Sequence, residues 1–286
     1  MKYFWIFLAV SLTAVSCVFH FVGGSSVGHC TEEGIDYTEV RDVQPFRALT
    51  SSLPCNVYYV QADTQEVRVE STEEFASKVL TEVEDGTLKL KLEPGRYPKL
   101  ILRVVVSSPD IESLHVQGSG NLFSESALHA GGDLDLVVSG SGDIFAGEID
   151  SKDFSAHCGG SGSLQFDKVG CTGFSASVGG SGSLRFDQVD CGGFSASVSG
   201  SGHISVQTLA VKDDMSARIS GSGLIRLQEA SIRGHAELKT SGSGDIIING
   251  TCWDVAATTS GSGSITGNLF YNYVDVHTSG SGRVKF

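Results

Sequence analysis

The sequence predicts an all-β protein: a right-handed β-helix-like solenoid built from ~20-residue Gly-Ser-Gly coils, with an irregular β N-terminal cap. Two observations predict it. Gly-Ser-Gly occurs nine times, with first glycines at 118, 140, 160, 180, 200, 221, 242, 261 and 280, so the interval stays between 19 and 22 residues. A short unit repeated at that period stacks into a solenoid, each unit contacting only its neighbours. Around each triplet, apolar residues also fall on every second position, the period of a strand with one buried face.

The chain opens with Lys2 before an apolar run from Phe4 to Val15, followed by Ser16 and Cys17. Residues 1–22 are read as a secretory signal with an Ala-x-Ser cleavage site. Two other readings stay open. One is a lipoprotein signal lipidated at Cys17, although Ala14 stands where that pattern has leucine. The other is a retained membrane anchor, because the apolar character continues through Val18–Val22. All three send the repeat body out of the cytoplasm, to the periplasm, outer membrane or cell surface.

Residues 23–34 read as a tether. From 35 to 117 glycine thins, charge rises and strand patterns lose the period, as expected of a cap and first coils. Here Asp85-Gly86 is a hairpin-turn dipeptide leading into the amphipathic strand Thr87–Leu92, and Leu100–Val106 reads as a more buried strand. A solenoid needs such a cover, since an open coil edge invites pairing with other chains.

Residues 118–286 form the repeat. The units 159–178 and 179–198 match at sixteen of twenty positions. Six residues before each triplet from the second onward stand Leu134, Phe154, Phe174, Phe194, Met215, Ala236, Val255 and Val274, and the positions between the apolar ones are mostly serine, threonine or charged. Stacking turns every column into a ladder at about 4.8 Å. Phenylalanine should therefore pack on phenylalanine inside. The corner glycines are expected to permit positive φ and to avoid a Cβ clash, with the central serine hydrogen-bonding locally. No helix follows any triplet, so these corners do not read as phosphate cradles.

Net charge is −13 and the basic residues are scattered, which argues against nucleic acid as a partner. Six cysteines follow Cys17. Cys171 and Cys191 share a column on adjacent coils, which leaves open a disulfide or a ladder of buried thiols. Cys30 and Cys55 are a second pair for which the sequence decides nothing. No Cys-x-x-Cys spacing occurs, so structural zinc has no support.

The passage from Ser108-Pro109-Asp110 through Leu114 to Gly118-Ser119-Gly120, continued by the Ser-Gly-Ser-Gly-Asp-Ile corners at 139–144 and 241–246, resembles a known family. That family is the Putative auto-transporter adhesin, head GIN domain family, and the resemblance spans roughly residues 40 to 286. It implies a β-helix-like fold, export and often a lipoprotein or surface location. It carries over no catalytic residues.

The residues themselves point to a non-catalytic role. The repeat serines sit in Gly-Ser-Gly corners rather than nucleophile elbows, and no His-Glu-x-x-His occurs. The binding expectation falls on the outward serine ladders Ser155, Ser175 and Ser195, and Ser177 and Ser197, offered as a flat face to a glycan or a surface protein. Asp167 and Asp187 put like charges on adjacent coils, so a weak calcium site is expected there unless Arg185 or Lys168 compensates. Two rivals remain: a polysaccharide-active β-helix enzyme, for which Asp133, Asp135, Asp143, Glu148, Asp150 and Asp153 crowd one stretch, and a structural rod of about 40 Å.

Overall fold

The computed structural model describes residues 27–286, and the signal, anchor and Cys17 readings lie outside the described residues. The body is a β-solenoid of about nine turns, spaced about 20 residues apart. From Ser113–Val116 onward every strand pairs in parallel with the strand one coil away. The column 113, 135, 155, 175, 195, 216, 237, 256, 275 runs unbroken along it. The longest ladder joins Ser163–Val178 to Ser183–Val198, the two most similar units.

The alternation seen in the sequence becomes burial. Phe154, Ala156 and Cys158 point inward and are buried, while Ser155 and His157 between them are partly open. Inside, rings stack in phase with the coils. Phe166 lies on Phe186 at 4.9 Å between centroids and Phe174 on Phe194 at 4.8 Å, matching the strand spacing of about 4.8 Å.

The corners obey a different rule from the one the sequence suggested. Of the triplet glycines only Gly280 has positive φ. Close approach selects glycine at the others. A Cβ at Gly160, Gly180, Gly200, Gly221 or Gly242 would lie 2.0 to 2.1 Å from the carbonyl oxygen of the matching glycine one coil earlier. The corner bond comes from the backbone of the central serine, not its hydroxyl: Ser181 N–H donates to Gly160 O at 3.1 Å, and Ser201 N–H to Gly180 O at 3.1 Å. From inside, Cys158, Thr240 and Thr259 each donate to the carbonyl of the corner's last glycine, four residues on.

The N-terminal region is both coil and cap. Ala48–Ser51 and Val57–Gln61 already make a solenoid coil, pairing in parallel with Ser113–Val116 and Leu122–Ser124. The chain then descends beneath that coil, where Thr87–Leu92 and Tyr97–Ser108 pair with its other edge. Antiparallel strands close what is left: Val79–Glu84 on Thr87–Leu92, turning at Asp85 (φ 49°) and Gly86 (φ 72°), and Glu66–Ser71 on Tyr97–Ser108. Part of the expected tether is structured. Val27–Thr31 pairs with Tyr97–Ser108, and Cys30 is disulfide-bonded to Cys55. The one described helix is the four-residue Glu73–Ala76, and among the described residues no helix is long and apolar enough to cross a membrane.

Candidate functional site

A concavity of about 870 Å³ lies along one corner of the first coils. It forms because side chains are missing. Gly131 and Gly132 would each carry a Cβ into open space, and Gly173 leaves room for the Asp153 carboxylate to lie across it. The corner backbone is fixed from coil to coil, with Lys152 N–H donating to Gly132 O at 2.9 Å and Thr172 N–H to Lys152 O at 2.7 Å. Buried Ile111, Leu134 and Phe154 form the floor.

The walls are polar. Ser155 and Ser175 are register partners on one side, continuous with Asp135 in the same column. Asp110, Glu112, Asp133 and Asp153 add four more carboxylates. Among the described residues the only cation lining the groove, Arg47, is held by Glu112 at 2.9 Å. The larger share of the lining surface is apolar, and its polar share consists mostly of carboxylates and hydroxyls under a negative potential. Such a surface accepts bonds from a neutral polyhydroxylated ligand and repels an anionic one.

The expected serines divide. Ser155 and Ser175 line the groove, whereas Ser195 continues the ladder beyond it. Ser177 is engaged by His157, Nδ1 to Oγ at 2.7 Å, and Ser197 is exposed. Further along, both ladders turn into an ion-pair network in which Glu237 meets Arg218 and Lys239. Asp167 and Asp187 are both exposed on adjacent coils. Asp187 is compensated by Arg185 at 3.2 Å, while Lys168 turns instead to Glu148 at 2.6 Å. Among the described residues no group of three or more His, Cys, Asp or Glu is placed to hold a metal. Asp167 instead edges a shallow pocket of about 220 Å³ beside Phe123 and Phe145, the end of an outward stack that begins at Tyr58.

Cys171, half-buried, and Cys191, buried, are in register on adjacent coils, and the structure carries both as free thiols. Burial, reinforced by Asp153 at the first and by Cys171 at the second, pushes each up to about 12.

Sequence reasoning missed Arg47, Asp110 and Glu112, which come from the non-periodic region and reach the groove only through the coil-to-coil register. Asp133, Asp135 and Asp153, which the sequence set in the acidic stretch of the polysaccharide-enzyme rival, line this groove. The Gly131-Gly132 pair, out of phase with the triplets, was the legible sign that this corner differs.

Fold and groove together define a capped parallel β-solenoid with an acidic lateral cleft. The Putative auto-transporter adhesin, head GIN domain family model matches residues 45–231, and the chain belongs to that family. Three solved structures share the fold. One, from Parabacteroides distasonis and described as a "putative lipid binding protein", is 21% identical, covering 90% of this chain and 100% of its own, with a TM-score of 0.62. A "putative adhesin" from the same species is 16% identical, covering 90% and 99%, with a TM-score of 0.69. A "putative adhesin" from Parabacteroides merdae is 15% identical, covering 88% and 96%, with a TM-score of 0.65. No curated protein matches the chain.

Proposed function

We propose that this protein is an exported, non-catalytic, adhesin-like binding module of the cell envelope, and that it holds a neutral glycan in the corner groove. The observation that carries the reading is the meeting of Ser155 and Ser175 with Asp133, Asp135 and Asp153 along a cleft open at the surface. Hydroxyls and carboxylates at coil spacing match a chain of sugar hydroxyls, and the glycine-thinned wall admits the rings. The Cys30–Cys55 disulfide supports export, because such bonds persist in oxidising compartments. Family membership supports the adhesin-like role.

A neutral and an acidic glycan array, probed with the full chain, tests this reading. Binding to neutral glycans is expected, with affinity falling at least about tenfold in Ser175→Lys, a loss of about 1.4 kcal/mol. Bound glycans are expected to be recovered uncleaved. Silence across the array, or binding indifferent to Ser175→Lys and Asp153→Lys, would remove the groove from the function.

A further inference from the structure

The two ends of the solenoid are unequal. Antiparallel strands cover the N-terminal coil. Among the described residues the last strands, Tyr273–Thr278 and Val284–Lys285, pair only with Asp254–Thr259 and Ile265–Thr266 on one side. Val276 makes the consequence measurable. It ends the interior column Ala156, Ala176, Ala196, Ala217, Leu238 and Ala257, whose members are at most 1% exposed, yet Val276 itself is 44% exposed. Five of the six exposed large hydrophobic side chains among the described residues belong to the last two coils: Trp253, Phe270, Tyr271, Tyr273 and Val276.

We propose that this edge pairs with the same edge of a second copy, giving a two-fold, end-to-end dimer. The edge strand carries a self-complementary pattern. A two-fold axis reverses the partner chain, so pairing is antiparallel, and inward side chains meet inward ones only when paired residue numbers sum to an even value. With the axis at Val276, that residue meets its own copy, and Val274 faces Thr278. Asp275 then lies opposite the partner's His277, and His277 opposite the partner's Asp275. Centring on Asp275 instead would set two carboxylates face to face, a disfavoured cross-strand pair. Within one chain Asp275 and His277 already lie 3.5 Å apart and are exposed, available to a partner. Among the described residues Val27–Thr31, Tyr37–Arg41 and Val79–Glu84 of the cap also pair on one side only, so a head-to-tail contact is the rival assembly, but only the two-fold contact brings Val276 onto its own copy.

The test uses the full chain in detergent, so that the apolar N-terminal segment stays solvated. At the proposed axis paired Cα atoms are about 4.5–5.5 Å apart, within disulfide reach. Val276→Cys under mild oxidation is therefore expected to give a covalent dimer on a non-reducing gel. Thr208→Cys, exposed on a middle coil, should stay at the wild-type background. By equilibrium sedimentation the wild type should dimerise, and Val276→Asp should weaken association at least about tenfold while keeping its β circular dichroism. A monomeric wild type, or a dimer that survives Val276→Asp and gives no cross-link at 276, overturns the proposal. Glycan binding is a separate readout, so either reading can fail alone.

Discussion

At the scale of single residues, neighbouring glycines have opposite duties. Gly180 faces the Gly160 carbonyl, where a Cβ would stand at 2.1 Å, while a Cβ on Gly179 would meet nothing closer than 3.9 Å. Gly180→Ala should lower unfolding stability by about 1–3 kcal/mol, because backbone on one coil must move away from the next. Gly179→Ala should be neutral or raise it by about 0.4–1 kcal/mol through a less disordered unfolded chain. Paired urea melts check this, and equal losses at both sites would refute the close-approach account. The thiols make a second residue-scale prediction. Cys171 and Cys191 ionise near 12 when folded, against an ordinary value of 9.0. Between these values the unfolded state sheds protons that the folded state keeps, so stability should fall as pH rises from about 9 toward 12. The buried Tyr59 hydroxyl, also raised to about 12, acts in the same direction. A urea midpoint that holds steady across that range would contradict the burial assigned to these groups.

At the scale of elements, the coil stack and the cap are stabilised by different means. Phe174 packs against Phe154, Phe186 and Phe194, so its loss opens a void spanning several coils. Phe174→Ala should cost about 3–5 kcal/mol, as read from denaturant unfolding. The cap has a covalent tie in addition to its packing. The Cys30–Cys55 bond closes a 25-residue separation and fastens Val27–Thr31 to the first coil. Replacing both cysteines by alanine should cost about 2–4 kcal/mol. Residues 27–31 should also become susceptible to proteolysis, while the repeat keeps its protection. Unchanged stability would mean that strand pairing alone holds the segment.

At the scale of the whole molecule, the protein is a one-dimensional stack, so stability should vary along its axis. Amide exchange should be slowest across Ser163–Val198, where the paired strands are longest and the phenylalanines stack, and fastest across Tyr273–Phe286, whose strands pair on one side only. Protection that is uniform from coil to coil would be inconsistent with nearest-neighbour stacking; protection of the last coil that rises with protein concentration would fit the end-to-end dimer. The net charge of −13 acts at this scale too, favouring neutral or basic partners over anionic ones.

The sequence by itself determined the architecture. A triplet recurring near every 20 residues and a two-residue apolar period leave few options besides stacked parallel coils, and closely similar units such as 159–178 and 179–198 must meet in register. It also identified the inward phenylalanines, the hairpin at Asp85-Gly86 and the serine columns, because each is a local pattern. Tertiary structure decided what depends on approach between segments distant in the chain. It placed the Gly-Ser-Gly corners against a carbonyl one coil away rather than in left-handed φ. It paired Cys30 with Cys55 and left Cys171 and Cys191 as thiols. It also brought Arg47, Asp110 and Glu112 to the adjacent coils carrying Asp133 and Ser155. Repetition encodes neighbours at a fixed separation, so which periodic residues stack on one another was legible, while the backbone angles and bonding at those positions were not. The groove lies where the periodic body meets a non-periodic cap, and no local rule sets that register.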